Sequence, residues 1–180
     1  MTAEWQSIER NRPAPGKSCG SCTLCCKLLG ITALEKPQGT WCRHCNKGSG
    51  CKIYSERPDE CKTFFCLWLV DPHLGPEWKP NLSKMVVTFE ENGLDIHCDT
   101  GYPLAWQREP YHQHIQEWAI AARPHSGFVR VCVGNQTSLI ELEGEFPLGT
   151  LADDDRIVRE FEGSRLVGVR VVKASELPPR

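Results

Sequence analysis

The sequence crowds nine of its eleven cysteines into the segment between Cys19 and Cys66. Within that segment, the stretch CGSCTLCC carries four thiols in eight positions. The adjacent residues Cys25 and Cys26 do not easily form a disulfide with each other, and neighbouring thiolates repel one another. These thiols therefore need other partners: disulfides to cysteines elsewhere, a redox relay or a metal ion. The nine clustered residues are Cys19, Cys22, Cys25, Cys26, Cys42, Cys45, Cys51, Cys61 and Cys66.

The N-terminal residues indicate the compartment in which these thiols would lie. Residues 1–16 are polar and contain no apolar stretch typical of a secretory signal. No apolar run in the sequence approaches the roughly 20 residues that a membrane helix needs. We therefore predict a cytoplasmic location without a membrane partner. In a reducing cytosol, clustered cysteines favour metal ligation over disulfides, so all nine are predicted metal ligands.

The spacing of the cysteines suggests how they could be shared between ions. The stretch CTLCCKLL favours a short helix that ends at Gly30, with its three cysteines on one face. The pattern Cys22-x2-Cys25-x16-Cys42-x2-Cys45 falls within the spacing of four-cysteine zinc sites. The five other cysteines would supply a second site with one to spare, although spacing alone does not fix which cysteines share an ion.

Charge around the cysteines also favours thiolates. Residues 17–66 hold eight Lys and Arg against four acidic residues, a balance of +4 that suits clustered thiolates, although a solvated basic face explains the same count. Pro58 followed by Asp59 and Glu60 predicts the first turn of a helix. Cys61 would lie near the positively polarised end of that helix, which favours its thiolate.

The identity of the metal remains open between two chemistries. Paired C-x-x-C motifs suit Zn²⁺, which we predict as the cofactor. The spacing Cys19-x2-Cys22-x2-Cys25 also matches three ligands of a [4Fe–4S] cluster, but Cys26 follows at once where bacterial ferredoxins have x3-Cys-Pro. Iron or a [4Fe–4S] cluster is therefore the alternative cofactor. His44 is interpreted as a loop histidine, with ligation as the alternative.

The order of these motifs resembles a known family. CGSCTLCC, then WCRHC, then GCKIYSERPDECKTFFC is similar to the CxxCxxCC cysteine-cluster family, which is described as zinc- or iron-chelating. The element C-x-I-Y-x-x-R-P-x-x-C, from Cys51 to Cys61, is the most specific part of the match. The resemblance implies metal chelation by these cysteines and no general activity. It covers residues 19–66 and says nothing about residues 70–180.

Composition shifts along the chain predict four segments. Residues 1–16 form a polar N-terminal arm, and residues 17–70 form the cysteine-cluster module. Residues 71–81 hold three prolines and a glycine and are predicted to be an extended linker. Residues 82–180 form a small α+β part of unknown role.

Alternating apolar residues predict strands in this last part. Lys84–Glu90 precedes an Asn92-Gly93 turn signal and a second strand. Apolar residues at helical spacing after Pro110 predict a covering helix, followed by a second hairpin over residues 128–143 and a final strand over 165–173. The predicted fold class is thus α+β: a metal-stapled module with short helices, then a small antiparallel sheet with one covering helix. Cys98 and Cys132 are predicted core residues.

The functional prediction is a metal-binding protein with a structural or metal-handling role. The alternative is an iron–sulfur protein in electron transfer or in a cluster-dependent enzyme. A net charge of -2 gives no general attraction to nucleic acid, so none is predicted as a partner. No catalytic motif is recognisable, so an enzyme is the less favoured class. The predicted partner is a metal ion, and the sequence identifies no client protein.

Overall fold

The computed structural model describes residues 8–177, which form the predicted α+β fold. Its helices are α1 (Cys25–Leu28), α2 (Asp59–Lys62), α3 (Leu67–Val70), α4 (Pro80–Ser83) and α5 (Tyr111–Ala122). Its strands are β1 (Cys45–Asn46), β2 (Gly50–Cys51), β3 (Met85–Glu90), β4 (Gly93–Cys98), β5 (Phe128–Val133), β6 (Gln136–Glu141), β7 (Gly144–Gly149), β8 (Asp155–Glu162) and β9 (Arg165–Lys173). Single 3-10 turns lie at Thr32–Leu34, Tyr54–Glu56, Pro76–Trp78, Ala105–Gln107, Arg123–His125 and Ala174–Glu176.

Five strands form the main sheet in the order β3-β4-β5-β6-β7. Neighbours are antiparallel except β4 and β5, which run parallel. The prediction of an antiparallel sheet is therefore wrong at this one pair. The cause is the position of α5 in the chain, because a helix between two neighbouring strands acts as a crossover and returns the chain to the end where the first strand began.

The two predicted hairpins and the covering helix are confirmed. The first turn lies one residue earlier than its signal, because Gly93 already pairs with Glu90. A Cβ at Gly93 would also collide with the carbonyl of Phe128 on β5, so this position requires glycine. α5 packs on β5 and β6 and buries most of its predicted apolar stripe, including Ile115 and Ala119.

A separate two-stranded sheet, β8 with β9, ends the described chain. β9 is the predicted final strand, but the sequence predicts neither β7 nor β8. The run Asp153–Asp155 leads into β8, and Asp154 and Asp155 both pair with Lys173. Two half-buried positions of β8 hold the charged residues Asp155 and Arg159, so its apolar alternation is not visible in the sequence.

One apolar core joins the cysteine-rich segment to the main sheet. Leu24, Leu28 and Leu67 are buried in the same cluster as residues of β3, β4 and β5, and α3 packs on β3. The linker predicted to be extended over residues 71–81 instead contains the turn Pro76–Trp78 and the start of α4. Proline favours the first turn of a helix, and Trp78 anchors the turn because it is only 2% exposed.

The predicted N-terminal arm is anchored where the structure describes it. Residues 8–16 form neither helix nor strand, but the Ala14 N–H donates to the Leu69 carbonyl at 2.9 Å. Residues 1–7 of the arm lie outside the described residues. Among residues 8–177, no helix combines the length and apolar character needed to cross a membrane.

Replacing Ile115 by alanine should lower the free energy of unfolding by about 2–5 kcal/mol, because this side chain is fully buried between α5 and the sheet. The matched control is Ile120→Ala on the same helix. Ile120 is 47% exposed, so its truncation should change stability by no more than about 0.5 kcal/mol. Urea denaturation followed by tryptophan fluorescence measures both values. Equal losses would contradict the orientation of α5.

Candidate functional site

The structure gathers all nine clustered cysteines around two adjoining cavities. The larger cavity, of about 220 Å³, is called the cysteine pocket here. A smaller cavity of about 90 Å³ adds the ninth residue, Cys66, and shares four cysteines with the first. The cysteine pocket is lined by Cys19, Cys22, Cys25, Cys26, Cys42, Cys45, Cys51 and Cys61. The smaller cavity is lined by Cys19, Cys22, Cys25, Cys61 and Cys66.

The first four cysteines lie on a turn and a short helix. The Cys22 N–H donates to the Cys19 carbonyl at 2.9 Å, which closes the turn before α1. α1 begins only at Cys25, so the predicted helix is shorter than its sequence pattern and Cys22 lies outside it. Because Leu24 and Leu28 are buried in the core, they fix this turn against the rest of the fold.

Backbone hydrogen bonds bring the second group of cysteines against the first. The Cys42 N–H donates to the Cys26 carbonyl at 2.9 Å. Cys45 then pairs with Cys51 across the small β1–β2 ladder. The loop that carries these residues is also fixed at Thr23, whose hydroxyl accepts the Gly48 N–H at 3.1 Å. Residues far apart in sequence thus meet at one wall of the pocket.

This arrangement groups the cysteines differently from the spacing pattern. The pattern pairs Cys42 and Cys45 with Cys22 and Cys25. In the structure, the Cys26 carbonyl accepts a hydrogen bond from the Cys42 N–H, and the Cys26 thiol lies close to that of Cys45. Cys22 instead neighbours Cys19 and the buried Cys66. Spacing does not reveal this grouping, because it depends on which loop folds against α1.

Crowding and burial disfavour ionisation of several of these thiols. The neighbouring Cys25 thiol, followed by burial, raises the pKa of Cys26. Burial, followed by the charge of Cys26, raises the pKa of Cys45. Burial raises the pKa of Cys66 to about 12. The thiols can ionise together only where a positive charge among them offsets their mutual repulsion.

The predicted helix start at Pro58 is confirmed, since α2 begins at Asp59. The stabilisation of the Cys61 thiolate that we expect from this helix end does not prevail over its surroundings. Burial raises the pKa of Cys61, and the nearby thiols of Cys26 and Cys42 add to the effect. A helix of four residues carries too small a dipole to outweigh these contributions.

A buried lysine supplies positive charge behind the pocket. Lys36 is only 8% exposed, and its ammonium donates to the carbonyls of Lys27 and Pro37 at 3.1 Å and also to that of Leu29. Burial lowers the pKa of Lys36, while Cys42 and Cys26 oppose that shift. Lys36 therefore caps the end of α1 and places a cation near the thiols. Nothing in the sequence distinguishes it from the other basic residues of this segment.

Three further residues from the sequence analysis, His44, Cys98 and Cys132, contribute less to the site. His44 lines the cysteine pocket and is half-buried, and its Nε2 lies 3.2 Å from the Nε of Arg43. Cys98 is buried in the core, as predicted. Cys132 is only half-buried, on the opposite face of the sheet from α5, and burial raises its pKa to about 11. Cys98 and Cys132 line neither of the two cavities.

The cysteine sulfurs are suitable donor atoms for a thiolate metal site, but their positions do not form the coordination shell of a single ion. Within the described part of the chain, no three His, Cys, Asp or Glu side chains are arranged so that they could hold a metal ion. Thiolates are the ligands of structural zinc and of iron–sulfur clusters, and their sulfurs must lie about 2.3 Å from zinc. Ligation of a single ion would therefore require cysteine side chains to rotate into the cavity.

Comparisons with protein-family models, curated proteins and solved structures gave no match.

An ion pair fixes the cysteine-rich segment to the sheet. Lys27, next to Cys26, extends its ammonium to Asp99 at 2.5 Å, just beyond the end of β4. Burial raises the pKa of Asp99, but hydrogen bonds from Lys27 and the Gly101 N–H outweigh burial, so the pKa lies below its usual value. Both side chains of the pair are largely buried. The pair should therefore contribute more than an exposed salt bridge does.

Asp99→Asn should lower the free energy of unfolding at pH 7 by about 1–3 kcal/mol, because it removes a charged partner from a partly buried ammonium. A carboxylate with a lowered pKa stabilises the folded state above its unfolded pKa of about 3.9, and that contribution disappears as the pH falls through the folded pKa. The difference between wild type and variant should thus shrink at pH 3. The exposed Asp154→Asn is the control, with a small effect at both pH values in urea titrations. A difference that grows toward pH 3 would contradict this assignment.

Proposed function

We propose that the two cavities bind metal through cysteine thiolates, with Zn²⁺ as the first candidate and a structural or metal-handling role. The observation that carries the proposal is the convergence of nine cysteines, from four separate stretches of chain, on two adjoining cavities. The proposal extends to membership of the CxxCxxCC cysteine-cluster family and to a reducing compartment such as the cytoplasm. In such a compartment, thiols remain available for ligation.

The electrostatics of the cysteine thiols support metal binding. Burial and neighbouring thiols raise the pKa values of Cys26, Cys45 and Cys61, which makes an ion-free thiolate cluster unfavourable. A divalent cation reverses this effect, because coordination deprotonates a thiol outright. A structural zinc site contributes about 10–16 kcal/mol of apparent binding free energy, comparable to the stability of a whole domain. Such a site would hold loops that contribute few apolar side chains to the core.

The shape of the pocket favours a second candidate, an iron–sulfur cluster. A cavity of about 220 Å³ is several times the ~30 Å³ that one water molecule occupies in the liquid. This volume fits a group of several atoms better than one ion. In that case the cysteines would hold the cluster, and its chemistry would be electron transfer. We propose no enzymatic reaction.

Anaerobic purification followed by elemental analysis, acid-labile sulfide determination and a visible spectrum tests the proposal. Zinc binding predicts colourless protein with about two ions per chain, because each ion takes four thiolates. A cluster predicts brown protein in which iron and sulfide are equimolar. Protein without transition metal, with its thiols oxidised in pairs, would contradict both forms of the proposal.

Two serine variants make the test specific to the pocket. Cys42→Ser should lower the metal content by about one ion per chain or by one cluster, because Cys42 lines the cysteine pocket. Cys132→Ser is the matched control, since Cys132 lies on β5 and outside both cavities. Its metal content should equal that of the wild type. Equal metal loss in both variants would place the site elsewhere.

A further inference from the structure

Cys19 differs from the other eight clustered cysteines in its exposure. It is the exposed member of the set, whereas the others are half-buried or buried. It also lines both cavities, at the outer end of the turn that precedes α1. Two four-coordinate ions need eight thiolates, so a set of nine allows one cysteine to leave a metal ion without leaving the set short of ligands. Its position makes Cys19 the ligand that an incoming molecule can reach first.

Two cations flank this thiol, and each contacts an aromatic ring rather than an anion. The Lys79 ammonium lies 5.1 Å from the centre of the Trp68 ring, beside Gly20. The Arg57 guanidinium lies 4.0 Å above the exposed Tyr54 ring and lines both cavities. Within residues 8–177, neither cation makes a salt bridge or donates a hydrogen bond.

Nearby lysines differ in this respect. Lys17, which also lies above Trp68, donates to the carbonyls of Asp71 and Leu74 at 2.5 and 2.6 Å. Lys36 is likewise occupied by carbonyls. Among the residues that the structure describes, the lining of the cysteine pocket contains one carboxylate, that of the exposed Glu60. The rim beside Cys19 therefore presents two available positive charges, which attract an anion.

We propose that Cys19 is the ligand at which metal is exchanged, and that the exchange partner is a small thiol that carries carboxylate. This inference rests on the proposed metal binding. In the exchange, the sulfur of the incoming thiol bonds to the metal, the bond from the metal to Cys19 breaks, and the proton of the incoming thiol passes to the Cys19 sulfur. No electrons are transferred. The carboxylate meanwhile pairs with Lys79 and Arg57.

The test uses the metal-loaded protein and two matched thiols, N-acetylcysteine and its uncharged amide, at equal thiolate concentration. Pulse labelling with N-ethylmaleimide and peptide mapping then report which cysteine becomes free. With N-acetylcysteine, Cys19 should be the first cysteine that N-ethylmaleimide labels. Its labelling rate should be about tenfold higher than with the amide at low salt, and 1 M salt should remove most of that difference. The metal-free protein should show no dependence on the added thiol.

Charge variants separate this proposal from simple exposure of Cys19. Lys79→Gln and Arg57→Gln should each reduce the preference for N-acetylcysteine. Lys52→Gln should not, because the exposed Lys52 is not among the cations that act on Cys19. Metal content is measured first on the same samples, so absence of metal would refute the proposed function itself. Metal-loaded protein that responds equally to both thiols, or that first frees another cysteine, would overturn the role of Cys19 alone.

Discussion

Mutual repulsion among closely packed thiolates is the constraint on which the cysteine-rich segment of the molecule depends. The Cys26 thiol lies against Cys25 and close to Cys45, and burial removes the water that would otherwise screen their charges. The fold supplies part of the compensation through Lys36, whose ammonium is held among backbone carbonyls behind the pocket. We propose that a bound cation supplies the remaining positive charge. The same cation would then hold together the loops that carry the cysteines.

The apolar core explains how these loops keep their positions. Leu24 and Leu28 around α1, and Leu67 on α3, join the core of the main sheet. Each of these residues lies within three positions of a clustered cysteine, so burial of the leucines determines where the thiols lie. The ion pair between Lys27 and Asp99 adds a polar attachment at the same junction. The site is thus built on the surface of the sheet, and the sheet gives short loops a rigid support.

Local patterns predicted much of the second half of the fold. The alternation in β3 and β4 and the helical stripe of α5 are visible because their apolar residues repeat at the period of each element, although β4 is buried along most of its length. The parallel pairing of β4 with β5 is a property of the connection through α5, which strand patterns do not reveal. β8 was hidden because the charged residues Asp155 and Arg159 occupy half-buried positions in it. For the site, composition identified the nine cysteines, but their grouping, the buried Lys36 and the exposed position of Cys19 depend on contacts between distant segments.

X-ray absorption at the metal edge of the anaerobically purified protein tests the central claim most directly, because it counts the atoms bound to the metal. Our account predicts a first shell made mostly of sulfur, at about 2.3 Å for zinc, with a second metal shell if the centre is an iron–sulfur cluster. A first shell of nitrogen and oxygen at about 2.0–2.2 Å, or the absence of a metal edge, would contradict ligation by the clustered cysteines.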